Sequence, residues 1–119
     1  MSKKILFVDD EEEIRSLVAT SLQGAGYEVV TAADASEAMS RAEAVDLGLI
    51  ILDLNLAGES GLALMEFLRC NRPDVPVLLY TGMEHDHDEV VAMMQKGAYR
   101  YVRKGTMEEL VQAVRSSFR

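Results

Sequence analysis

Cysteine, proline, positive charge and long apolar runs are all scarce in this 119-residue chain, and each scarcity removes a class of protein. The single Cys70 cannot close an internal disulfide, and no pairing of His and Cys has the spacing of a structural zinc site, so a reducing, cytoplasmic setting is expected. With only 2 prolines and no low-complexity tract, the chain lacks the profile of a disordered or proline-rich segment. Lys and Arg number 12 against 20 Asp and Glu, a net charge of -8. That balance argues against direct nucleic-acid binding, whose affinity comes mostly from cations displacing counterions along the phosphates. Lys3 and Lys4 precede only Ile5 to Val8 before acids begin, a run too short for a signal peptide or a membrane span.

What remains is 49% hydrophobic and 27% charged, the composition of a folded domain. The length suits one domain over residues 1–119 and is too short for a second, separate output module. Five short apolar runs alternate with five stretches of helical periodicity, separated by residues rich in Gly, Pro, Asp and Asn. Strands are expected at Lys4 to Asp9, Glu28 to Ala32, Leu47 to Leu52, Val75 to Tyr80 and Tyr99 to Val102. Leu49 to Leu52 and Val77 to Leu79 are apolar at consecutive positions, as in parallel strands covered on both faces.

The first helix carries Ile14, Leu17, Val18 and Leu22 at amphipathic spacing and ends at Gly24 or Gly26. Capping boxes start the second helix, at Asp34 with Glu37, and the fifth, at Thr106 with Glu109. The third is expected to begin at Ser60 and bury Leu62, Met65 and Leu68, and the fourth to run from near Asp86 or Asp88 to Gly97. Leu110, Val111, Val114 and Phe118 form the apolar face of the fifth. Right-handed crossovers then favour an α/β three-layer sandwich, flavodoxin-like (βα)5 with a parallel sheet in the order 2-1-3-4-5 and a ligand-binding switch point between strands one and three.

The carboxyl ends of those strands collect the chemistry: Asp9-Asp10 after strand one, Asp53 after strand three, Thr81 after strand four and Lys104 after strand five. Neighbouring carboxylates about 4 Å apart repel by about 4 kcal/mol at an effective dielectric of roughly 20, so protonation or a bound cation must relieve them. An all-oxygen set with room for water and phosphate oxygens suits Mg2+.

In these residues the chain resembles a response-regulator receiver domain of two-component signalling over nearly its whole length. The resemblance is carried by Asp9-Asp10 after Ile5-Leu6-Phe7-Val8, by Leu52-Asp53-Leu54-Asn55 with Gly58 and Gly61, by Tyr80-Thr81-Gly82, and by Gly97 through Lys104. It implies that Asp53 accepts a phosphoryl group from a histidine kinase or a phosphotransfer protein, the chain being a phosphoacceptor with only self-phosphorylation and self-dephosphorylation, not an independent enzyme. Asp10 and Asp53 would hold Mg2+ through their side chains, Asn55 through its backbone carbonyl, and Asp9 through water or a hydrogen bond. Lys104 and Thr81 would contact phosphoryl oxygens, and Tyr101 would turn inward as the Thr81 loop moves. The responding face would be helix four, strand five and helix five, presented to a downstream effector or output domain, with the chain a monomer or a phosphorylation-dependent homodimer.

The sequence departs from the family where Gly105 replaces the proline after the lysine. A cis bond there would cost several kcal/mol more than at proline, so the peptide is expected to be trans, or cis only if its surroundings hold it. Ala57 and Gly82 also replace the family's usual residues, and Asn55 and Met83 flank the expected approach of water. Gly105 keeps open the alternative of a receiver-like interaction module that is not phosphorylated. An aspartyl-phosphate phosphohydrolase is disfavoured by Asn55, which stands where such an enzyme has its second acid. A flavin module is disfavoured by Asp10-Glu11-Glu12-Glu13, which would repel a ligand phosphate. His85-Asp86-His87-Asp88 reads as a solvated acidic helix start rather than a metal site, and Met93-Met94 as core filling.

Overall fold

Alternation along the strands sorts the apolar side chains onto two faces, and the computed structural model shows helices covering both. It describes residues 3–43, 46–53, 61–82 and 87–118. The elements run β1 (Lys4–Val8), α1 (Glu12–Gly24), β2 (Glu28–Ala32), α2 (Ala35–Arg41), β3 (Leu47–Asp53), α3 (Gly61–Asn71), β4 (Val77–Thr81), α4 (His87–Gln95), β5 (Arg100–Arg103) and α5 (Met107–Ser117). All strand pairs are parallel and the sheet order is β2-β1-β3-β4-β5, as expected from the sequence.

Leu6, Val8, Ile50, Leu52, Val77 and Leu79 share one core with residues of α2, α3 and α4. Their chain neighbours Ile5, Phe7, Leu49, Ile51, Leu78 and Tyr80 share the other with residues of α1 and α5. Met93 is buried and Met94 lies against the first core, as core filling requires. Among the described residues no helix is long and apolar enough to cross a membrane.

Local chemistry explains where the elements start and stop. Asp34 accepts from the Glu37 N–H at 2.8 Å and Glu37 reaches back to the Ala33 N–H at 2.7 Å, while Thr106 accepts from the Glu109 N–H at 3.2 Å. The Asp34 device is reciprocal and Thr106 serves as an N-cap, each stabilising its helix by about 1 kcal/mol. β4 starts two residues later than the apolar run suggests because Pro76 has no N–H for the ladder; its carbonyl instead accepts from the Ile50 N–H at 3.0 Å. Leu17 is a correction: it is 49% exposed, because it lies about 100° round the helix from buried Val18. The expected start of the third helix at Ser60 and the Leu62 side chain lie outside what is described, as does the His85-Asp86 part of the acidic helix start.

Gly97 ends the α4 turn with φ +113, a conformation that L side chains rarely adopt, and a Cβ there would meet Arg69 Nε at 3.1 Å. Arg69 is itself committed, donating to the carbonyls of Val75 at 3.0 Å and Pro73 at 3.4 Å. Gly97→Ala should therefore cost about 1–2 kcal/mol, read as a lower urea midpoint with unchanged m-value. An unchanged midpoint would show that the turn relaxes without strain.

Candidate functional site

Each acid is delivered by a backbone that has little freedom to move. The Asp9 N–H continues the β1 ladder by donating to the Ala32 carbonyl at 3.0 Å, its Oδ1 accepts from the Glu11 N–H at 2.9 Å, and its carbonyl accepts from Arg15 Nη1 at 2.8 Å. Asp53 is the last residue of β3 and lies opposite Tyr80 of β4. Since β1 and β3 are neighbours in the sheet, Asp9, Asp10 and Asp53 converge, each offering an oxygen within 4.8 Å of the others. Asp9 and Asp53 are buried, at 0% and 1% exposure, and Asp10 is half-buried.

Lys104 reaches the same point from the other side. β5 is held to β4 through its last residue, Arg103 opposite Thr81, and only Lys104 and Gly105 separate it from the α5 cap at Thr106. The Lys104–Gly105 peptide is trans, so the expected geometry holds without proline. Lys104 Nζ stands 3.2 Å from Asp53 Oδ2 and 3.9 Å from Asp9 Oδ2.

Three carboxylates and one ammonium leave the cluster two negative charges in excess when all are ionised. Burial therefore pushes the Asp9 carboxyl up from 3.8 to about 7; the Glu11 N–H and Lys104 oppose the rise, and Asp53 reinforces it. Asp9 Oδ2 is buried without a hydrogen-bond partner. An orphaned buried oxygen beside two further carboxylates is a donor set that fits a small hard cation such as Mg2+. Tyr80 has its hydroxyl raised mainly by burial, against the pull of Lys104, so the ring is neutral at physiological pH.

Of the residues singled out in the sequence, Asp9, Asp10, Asp53 and Lys104 come together. Tyr101 lies apart on β5 and is 43% exposed. Asn55, Ala57 and Met83 lie outside the described residues, and so does the Thr81 side chain, although the Thr81 backbone closes β4 beside the cluster. Two residues have roles here that the sequence did not reveal. Arg15 anchors the Asp9 carbonyl from one helical turn into α1, and Tyr80 places its ring under Lys104 Nζ, 5.6 Å from the centroid. The available signals were an arginine six residues after the first acid and an aromatic ending an aliphatic strand.

Comparison with known proteins agrees with this geometry. Residues 5–115 match the family described as the response regulator receiver domain. The chain is 38% identical over 104 residues to the alkaline phosphatase synthesis transcriptional regulatory protein PhoP of Bacillus subtilis, covering 87% of this chain and 43% of that one. It is 39% identical over 107 residues to the nitrogen assimilation regulatory protein NtrX of Azorhizobium caulinodans, covering 87% of this chain and 23% of that one. The chain thus spans less than half the length of either curated relative. The solved structure of the Vibrio cholerae chemotaxis protein CheY4 superposes with a TM-score of 0.88 at 30% identity, covering 98% of this chain and 99% of that one. By sequence, by sheet order and by the acids at its switch point, the chain belongs to the response-regulator receiver domains of two-component systems.

Proposed function

We propose that Asp53 is the phosphoacceptor of this receiver domain. The observation that carries the reading is a buried carboxylate at the β1/β3 switch point, with an ammonium 3.2 Å from one oxygen and two further acids beside it. A carboxylate oxygen attacks phosphorus, a new O–P bond forms, and the P–N bond to a donor histidine breaks with its electron pair leaving on the imidazole. The protein's own part is positioning and charge: Asp53 is fixed by the ladder, Lys104 meets the oxygens of the incoming group, and Thr81 supplies a hydroxyl. Asp10 and Asp53 would hold Mg2+ with the Asn55 carbonyl, Asp9 would act through water or a hydrogen bond, and the ion would supply charge neutralisation at the phosphoryl group.

Phosphorylation adds about -1.5 to -2 charge and several acceptors beside Lys104 and the end of β4. A group of that charge draws the Thr81 loop inward and biases a pre-existing equilibrium in α4, β5 and α5, where Tyr101 now faces outward. The partners of this reading are a histidine kinase or phosphotransfer protein upstream and an effector or output domain downstream, the chain being a monomer or a phosphorylation-dependent homodimer.

Incubation with acetyl phosphate and Mg2+, followed by intact mass and by mapping after borohydride reduction, tests the reading. One phosphoryl group on the peptide containing Asp53, gained only when Mg2+ is present, is the expected result. No gain, or a gain elsewhere, would instead favour a receiver-like interaction module.

A further inference from the structure

Lys104 poses a problem of direction. Its stem has four rotatable bonds, the next residue is glycine, and an ammonium at 27% side-chain exposure gains hydration by turning outward. Asp53 and Asp9 attract it at 3.2 and 3.9 Å, but that attraction weakens once a cation or an incoming phosphoryl group engages the same carboxylates. A neutral aromatic face holds a cation without that loss, because the attraction comes from the ring quadrupole.

Tyr80 supplies such a face. It ends the aliphatic run Val77-Leu78-Leu79, lies opposite Asp53 in the β3–β4 register, and is 3% exposed. Phe7 packs against its ring in an edge-to-face arrangement, with centroids 6.2 Å apart and planes at 64°, which helps to fix the ring. Lys104 Nζ lies over that ring, 5.6 Å from the centroid, at the same time as it lies 3.2 Å from Asp53 Oδ2.

We infer that Tyr80 is a positioning residue for phosphoryl transfer: its ring face steers the Lys104 ammonium to Asp53, supplying from β4 the constraint that Gly105 does not supply along the chain. This rests on Asp53 and Lys104 acting as proposed above.

The test has one readout independent of phosphorylation. In NMR spectra of the wild-type chain, the Lys104 Hε protons should lie upfield of those of the other lysines, shifted by the ring current. Tyr80→Leu and Tyr80→Met should lose that shift and slow phosphorylation by acetyl phosphate at fixed Mg2+ by about three- to tenfold. Tyr80→Phe, which keeps the ring, should rescue both shift and rate. An ordinary Lys104 shift in the wild type overturns the inference without any variant having to fold. Leu and Met variants phosphorylated at the wild-type rate also overturn it, and a Phe variant as slow as they are would assign the effect to the hydroxyl rather than the ring. A wild-type chain that gains no phosphoryl mass refutes the phosphoacceptor reading instead, while the shift still decides whether the ring holds the lysine.

Discussion

Replacing Asp53 with Asn should abolish phosphoryl incorporation while leaving the fold in place. The amide oxygen carries no charge with which to attack phosphorus, and buried Asp9 is a poor substitute, since the Glu11 N–H engages one of its oxygens and burial raises its carboxyl. The backbone at position 53 is held by pairing with Tyr80 and by strand neighbours that are fully buried, none of which depends on the charge. Acetyl phosphate and Mg2+ should therefore add one phosphoryl group to the wild-type chain and none to Asp53→Asn, with far-UV circular dichroism the same for both. Equal mass gain in the variant would move the acceptor elsewhere and sink the assignment.

The order of the strands was legible because the apolar run Leu49 to Leu52, too short for a buried helix, indicates a strand covered on both faces, and short crossovers of one hand then leave few topologies. Asp9, Asp10, Asp53 and Lys104 were legible for a related reason, since each ends a strand or lies within two residues of its end, and a parallel sheet collects such positions at one edge. Leu17 was misread because amphipathic spacing tolerates a residue on either border of the face, and which border is covered depends on the neighbouring element. Arg15 and Tyr80 escaped because their roles lie in contacts across elements, to the Asp9 carbonyl and to the Lys104 ammonium, and neither contact has a spacing in the chain.

The second large effect concerns Asp9 and pH. Its carboxyl titrates near 3.8 in the unfolded chain and near 7 in the fold, so between those values the folded state binds the extra proton. Stability falls with rising pH wherever the folded state binds more protons, so this group's contribution is fully present below about pH 4 and is lost as pH climbs through about 7. Each tenfold change in proton affinity is worth about 1.4 kcal/mol, which places the loss on the order of 2–4 kcal/mol once water entering the site is allowed for. Asp53 and Lys104 face this carboxyl with Asp10 and Tyr80 close by, and Asp53 raises it by charge and by hydrogen bonding, so the wild-type minus variant difference reports the part of the cluster's pH response that depends on Asp9. In chelator, the wild-type urea midpoint should fall relative to that of Asp9→Asn between about pH 5 and pH 8, while saturating Mg2+ should flatten the difference by favouring the ionised form. Parallel midpoints for the two proteins across that range would mean that Asp9 is already ionised without the metal, with Lys104 offsetting one of the three negative charges.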